Sequence, residues 1–307
     1  MEMKDWLDQL NDVAQEGEPV DLPELPENPD EPAPEAPVTQ EETEEEEDDP
    51  QGIVLEEDVQ TPEADDYKTA VDLVMCVDVT GSMNKLIDAV KEFAKSVPTD
   101  LVAQLNEVNR QTETMRVRVI AFRDFYWDYV SSRYPACEIS RFFGVISGGE
   151  VDTDESKAFE DFVSTLEAKG GGREAAVDPE SSLEALHLAF KSEWNNDPSI
   201  AKQRRIVMLF TDSVPHTLDD ERRNEEKYQH PVTGKMGYPE DMPASMSALQ
   251  DEYLEIGTNA RLIVYARECE IWQSVGGWTA AQAFWNNDKG LAGIDKDVLY
   301  KVLKKSM

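Results

Sequence analysis

Four apolar runs of strand length constrain this chain more than any other feature of its sequence. They lie at residues 70–77, 115–122, 206–210 and 261–266, and stretches with helical periodicity follow them. A strand that is apolar throughout must be covered on both faces, which is the condition of a parallel sheet rather than of a half-solvated antiparallel one. The linking stretches supply that cover. After the first run, Leu86, Val90, Phe93 and Val97 recur on one helical face, and Pro98 is expected to interrupt it. Residues 158–168 and 182–194 repeat the helical spacing, the second with Ser181 or Ser182 as its N-cap. Residues 137–145 form a weaker strand candidate. The expected fold class is α/β, a doubly wound, mostly parallel sheet with helices on both faces.

The folded region does not take in all 307 residues. Of the 65 acidic residues, 26 precede Tyr67 against a single basic residue, so this part carries −25 of the formal net charge of −36. Pro19, Pro23, Pro26, Pro29, Pro32, Pro34 and Pro37 break any regular element before the acidic run at 44–49. Such a segment cannot bury enough apolar surface to offset its ordering entropy. The expected organisation is a disordered acidic, Pro-rich tail at 1–66 and one folded domain at 67–307. Within the tail, Trp6, Leu7, Leu10 and Val13 share a face of a short amphipathic helix at 3–15. It reads either as a weakly helical terminus or as a recognition segment that folds on a second partner.

Charge and cysteine usage narrow the partners. A chain this acidic repels nucleic acid and anionic membranes instead of releasing their counterions. No apolar run is long enough to span a bilayer, and the first residues lack the basic region and apolar core of a signal peptide. Cys76, Cys137 and Cys269 are widely spaced with no CxxC pair, a pattern of reduced thiols. The expected location is cytoplasmic.

The chemistry concentrates where strands end. The first run closes in Asp78-Val79-Thr80-Gly81-Ser82-Met83, so Asp78, Thr80 and Ser82 place oxygen-bearing side chains at alternate positions where a strand gives way to a helix. The third closes in Thr211-Asp212 and brings a second carboxylate to the same rim, where open α/β sheets bind ligands. Two hydroxyls and two carboxylates suit a hard cation: Mg²⁺ first, with Mn²⁺ or Ca²⁺ as alternatives. On its own, the Asp78, Thr80 and Ser82 set also reads as a helix-capping cluster.

Asp78 to Met83 resembles the Asp-x-Ser/Thr-x-Ser metal motif of von Willebrand factor A-type (vWA) domains. The resemblance extends to Phe122-Arg123-Asp124, to Gly170-Gly171-Gly172 followed by Asp178-Pro179-Glu180, and to Thr211-Asp212-Ser213-Val214-Pro215-His216, in family order from Thr69 to about Val275. It implies a metal-ion-dependent adhesion site (MIDAS) in which Thr80 and Ser82 touch the cation through their hydroxyls and Asp78 and Asp212 act largely through bridging water. The open coordination position is then for a protein partner's Asp or Glu carboxylate. Many vWA domains add a Thr from the loop that here spans 172–178 and contains none; Asp178 or Glu174 stands in for it, and an extra carboxylate there quenches the metal's electrophilicity. Ser213 and Val214 depart modestly from the family's usual residues.

The remaining candidates have plainer readings beside functional ones. His216 reads as a rim-packing residue before a catalytic base, because no matched nucleophile accompanies it. His187, inside a helix, and His230, in a loop, read as ordinary residues. Arg123 and Asp124 suit either a ligand contact or a buried ion pair, and Cys76 suits the core. Trp272, Trp278, Phe284 and Trp285 suit packing of the last helices, or else a binding surface. The long polar stretch at 218–243 suits a specificity loop. The expected function is a metal-dependent protein-binding module, an adaptor or regulatory subunit and not an enzyme. The alternatives are a Mg²⁺-dependent phosphoesterase or phosphotransferase and a vWA scaffold that works without metal. The first lacks the second Asp that a dehalogenase-type phosphatase needs at the position of Thr80. The acidic tail could also offer its own carboxylates to the site in cis.

Overall fold

Every residue of β1 (Thr69–Asp78) is buried, and the sheet is built outward from it. The computed structural model describes residues 68–106, 112–128, 134–171, 179–200, 202–219, 239 and 241–285. The acidic tail with its Trp6 segment, residues 172–178 with Glu174 and Asp178, His230 and most of the 218–243 stretch lie outside the described residues. On one side β1 pairs in parallel with β2 (Thr112–Phe122), and on the other with β6 (Lys202–Phe210). Beyond β6 the parallel run continues through β7 (Ala260–Ala266) to β8 (Ala281–Trp285). Beyond β2 the sheet turns antiparallel, through β3 (Cys137–Ile139), β4 (Phe143–Ser147) and β5 (Glu150–Val151). The order is β5-β4-β2-β1-β6-β7-β8, with β3 on β2 beside that path. The sheet is mixed and mostly parallel, and the winding reverses at β1.

The two faces divide the residues of β1 by alternation. Val71, Leu73, Met75 and Val77 point into a core closed by α1 (Ile87–Asn106) and α2 (Thr153–Thr165). Val74 and Cys76 point the other way, toward α3 (Ser182–Phe190), α4 (Met246–Glu255) and α5 (Glu270–Gly276). On this second face Trp272 is wholly buried, and Tyr253 packs against Phe190 and Trp278 with ring centroids 5.5 and 6.0 Å apart. Each such side chain contributes roughly 1.5–3 kcal/mol of burial. On the first face Phe210, Tyr265 and Phe284 stack in a row across β6, β7 and β8, at centroid spacings of 5.4 and 5.0 Å. Among the described residues no helix is long and apolar enough to cross a membrane.

Several elements differ from their sequence expectation for identifiable reasons. The 137–145 candidate is two strands, divided at Ser140: its N–H donates to Val119 O, but its hydroxyl accepts from Val119 N at 2.9 Å and its carbonyl accepts from Arg118 Nε, so side chains replace the backbone ladder there. Helix α1 continues through Pro98, although an interior proline costs about 3 kcal/mol; Phe93 and Ala94 before it and Val102 after it anchor the helix to the core. Helix α2 starts five residues before the expected 158, capped by the Asp152 carboxylate accepting from Asp154 N and Glu155 N. Ser181 is the N-cap position of α3, yet its hydroxyl accepts from Phe125 N at 2.8 Å and leaves the helix uncapped by side chain. Trp272 and Trp278 serve the core, whereas Phe284 and Trp285 belong to a strand and not to a last helix.

One polar residue interrupts the apolar run of β1. Asp72, 1% exposed, accepts a bidentate fork from Arg116 on β2 (Nε 2.8 Å, Nη2 2.6 Å) and Asn195 N at 2.5 Å. Removing it strands the guanidinium and the Asn195 amide. Asp72→Ala is expected to lower unfolding stability by about 3 kcal/mol, measured by urea titration, while Asp72→Asn retains part of the loss.

Candidate metal centre

The carboxyl ends of β1 and β6 lie side by side, so Asp78 and the Thr211-Asp212 pair meet at one rim. Asp78 is fully buried, and both of its oxygens are engaged. Oδ1 accepts from Thr80 N at 2.9 Å and Thr80 Oγ1 at 2.7 Å, and Oδ2 accepts from Thr211 Oγ1 at 2.7 Å. The chain of oxygens continues through Thr80 Oγ1 to Ser82 Oγ at 3.1 Å, and from Ser82 Oγ to Asp212 Oδ1 at 2.8 Å. The alternate spacing of 78, 80 and 82 survives because the backbone stays extended at Thr80 before the 3-10 turn Gly81–Lys85. Asp78, Thr80, Ser82 and Asp212, expected at one site from the sequence, are therefore brought together. Asp178, the fifth expected ligand, lies outside the described residues.

A glycine loop roofs this network. Gly170 O accepts from Gly81 N at 3.0 Å, and Lys169 N donates to Val79 O at 2.9 Å. Gly170 (φ +83°) tolerates no side chain: a Cβ there would stand 2.4 Å from Asp128 Oδ1. Arg123 fixes the loop from behind, its guanidinium donating to the carbonyls of Lys169 (2.7 Å), Pro135 (2.7 Å) and Glu167 (3.2 Å). Its ion-pair partner is Glu138 at 3.1 Å and not the adjacent Asp124. Asp124 instead accepts from Tyr126 N and Trp127 N, and Asp128 accepts from Gly171 N at 2.8 Å. His216 is buried edge-on against Tyr126, with Nε2 3.6 Å from Asp124 Oδ1.

Two residues of the site stand within the sequence blocks above but have no role assigned there. Thr211 is one, since its hydroxyl ties β6 to Asp78. Glu180 is the other. An isolated parallel bridge to Pro215 pins it, with Glu180 N donating to Val214 O and His216 N to Glu180 O. Its side chain is fully buried, and neither carboxylate oxygen has a hydrogen-bond partner among the described residues. A Cβ on Gly171 would meet Glu180 Oε1 at 3.0 Å and Thr80 Cβ at 3.1 Å, so this carboxylate reaches the Thr80 side of the site. Its sequence signals are its place in the Asp178-Pro179-Glu180 block and two residues before a helix start.

Electrostatics follow from this crowding. Burial is the first cause that raises Glu180 well above the usual carboxylate range, and Asp78, Asp124, Asp128 and Asp212 raise it further. Burial likewise raises Asp212, against the hydrogen bond from Ser82, and raises Asp128, against those from Gly171 and Asp124. Asp78 is pushed up to about 6 by burial, held down in part by Thr80 and Thr211. Among the described residues no three His, Cys, Asp or Glu side chains are grouped to hold a metal by themselves. The donors that converge are mixed, hydroxyl with carboxylate, and all are hard oxygens. With the orphaned Glu180 carboxylate beside them, they fit a small hard cation.

No protein-family model matches the chain, and neither does any curated protein. Among solved structures it is similar to a von Willebrand factor type A protein from Catenulispora acidiphila, at 14% identity and a TM-score of 0.45, over 78% of this chain and 43% of that one. It is also similar to the pilus adhesin SpaC from Lactobacillus rhamnosus GG, at 14% identity and a TM-score of 0.46, over 78% of this chain and 31% of the adhesin. A third is proximal thread matrix protein 1 from the mussel byssus, at 11% identity and a TM-score of 0.39, over 79% of this chain and 47% of that one. The chain thus spans less than half the length of each of these structures.

The raised Asp78 gives a pH dependence with a definite sign. The folded state retains a proton at Asp78 that the unfolded chain, titrating near 3.9, releases. Stability from this group is therefore full below about pH 4 and is lost as pH rises through about 6. In a chelating buffer, Asp78→Asn is expected to gain on the native protein over that interval, by about 3 kcal/mol at neutral pH. Urea unfolding of both proteins at several pH values checks it; a gap that does not grow with pH contradicts the assignment.

Proposed function

We propose that the chain is a metal-ion-dependent protein-binding module of the vWA kind, an adaptor or regulatory subunit that captures an Asp or Glu carboxylate of a protein partner. The observation that carries this reading is the continuous oxygen network Thr211–Asp78–Thr80–Ser82–Asp212 at the carboxyl ends of two adjacent central strands. Thr80 and Ser82 would hold a divalent cation through their hydroxyls, Asp78 and Asp212 through water, with Glu180 and Asp178 as further carboxylates at its side. Mg²⁺ suits this donor set first, and Mn²⁺ or Ca²⁺ next. When bound, the cation supplies a Lewis-acidic position that an anionic oxygen can complete.

The chain's own residues prepare that position. Asp78 spends its lone pairs on the hydroxyls of Thr80 and Thr211, which fixes where those oxygens point. Ser82 is tied to Asp212 in the same way, so the two strand ends are set relative to each other before any ligand arrives. Gly170 brings backbone to within hydrogen-bond distance of Gly81 and keeps the loop closed over Thr80. The same engagement of Asp78 favours a binding role over a phosphoesterase one. A carboxylate with no exposed surface and three donors on it is placed to orient neighbours, not to attack phosphorus.

Calorimetric titration of the full chain with Mg²⁺ and with Mn²⁺ tests the reading. The native protein is expected to bind, and Ser82→Ala or Asp212→Asn to weaken binding by at least about tenfold. A native protein that binds no cation, yet still takes its partner, would return the reading to a metal-independent scaffold. An Asp78-dependent turnover of simple phosphate esters would return it to an enzyme.

A further inference from the structure

His187, read from sequence as an ordinary helical residue, sits at a junction that is anything but neutral. Its side chain is 1% exposed on α3, and both ring nitrogens face carboxylates. Nδ1 lies 2.7 Å from Glu252 Oε2 on α4, and Nε2 lies 3.2 Å from Asp241 Oδ1 in the segment that leads into α4. A neutral imidazole carries one N–H and one lone pair, whereas an ionised carboxylate can only accept. The neutral ring therefore satisfies one of its two partners and turns a lone pair on the other. Only the imidazolium donates to both.

We propose that His187 is a proton-controlled clasp, which holds the segment at 241–245 and α4 onto α3 while the ring is doubly protonated and releases one of them when it is not. The surroundings fit a single positive charge on the ring. On α4, Glu252 uses its second oxygen to accept from Lys191 at 3.1 Å, so its first is left for His187. Lys191 itself lies at the end of α3, with Glu255 and Asp241 as further acidic neighbours. Glu184, one turn before His187 on α3, is buried as well. The hydrogen bond from His187 is the first cause that holds the Asp241 carboxyl below its usual range. The clasp has reach because α3 begins two residues after Glu180. It links the helix that carries one corner of the candidate metal centre to α4 and to the chain returning from the 220–238 stretch.

Hydrogen exchange of the full chain, followed by mass spectrometry in a chelating buffer, tests this without reference to the metal. Peptides covering 241–256 are compared between about pH 5 and about pH 8 after correction for chemical exchange. In the native protein their opening is expected to rise roughly tenfold at the higher pH, the factor that one lost charge-assisted hydrogen bond carries. His187→Gln removes the imidazole. Asp241→Asn, at an exposed position, offers an amide that can accept from an N–H or donate to a lone pair. Both are expected to abolish the pH dependence at 241–245, and if the first does not fold the second decides. Native protection that is equal at the two pH values overturns the clasp. So does a native-like pH dependence that survives in Asp241→Asn.

Discussion

Burying Asp78 at the end of β1 takes an acidic group out of water, and the rest of the rim is arranged around making that tolerable. Three donors reach it from beyond two strand ends: the amide and hydroxyl of Thr80 just after β1, and the hydroxyl of Thr211 just after β6. Those bonds stabilise the carboxylate less than burial destabilises it, so its pKa stays raised. The residue is thereby left with an unmet demand for positive charge. Glu180 repeats the situation more severely, with no donor on either oxygen among the described residues. Two acids under the same glycine loop, both short of compensation, have ionised forms that burial penalises and that protonation relieves.

The central strands were legible in the sequence because β1, β6 and β7 carry near-continuous apolar runs, and that pattern has few structural solutions. The meeting of Asp78, Thr80, Ser82 and Asp212 was legible for a related reason: each falls where a readable strand stops. What was hidden depended on long-range contacts. Glu180 matters because a bridge to Pro215 drives it under the loop, and nothing within its own neighbourhood announces that bridge. Arg123 reads as a partner for Asp124 until the fold presents it with three carbonyls and Glu138. His187 sits in an apolar helix whose sequence gives no sign that Asp241 and Glu252, more than fifty residues away, close on it. Ser140 and Pro98 misled for the opposite reason, since their local preference was outweighed by tertiary packing.

Charge is handled differently at the two levels of the chain. Across the sequence, acidic residues outnumber basic ones by more than two to one, and exposed carboxylates are solvated singly or paired, as Glu155 is with Arg141. Such surface pairs contribute little to stability. Inside the domain, the few buried acids each have a distinct environment. Asp72 is matched by a guanidinium fork, Asp128 by backbone amides, Asp78 by hydroxyls, and Glu180 by no donor among the described residues. That gradation runs from a carboxylate matched by an opposite charge to one matched by no donor among the described residues.

The parallel pairing of β1 with both neighbours also has a mechanical meaning. The chain enters β1 at its amino end near Lys68, while the oxygen network lies at the other end, beyond Asp78. Tension between a ligand held at the rim and the chain leading into Lys68 would run along the length of β1. In that direction the hydrogen bonds to β2 and β6 are loaded together in shear, and none can be peeled away one at a time from an end. A load applied along β1 would be shared by both of its ladders.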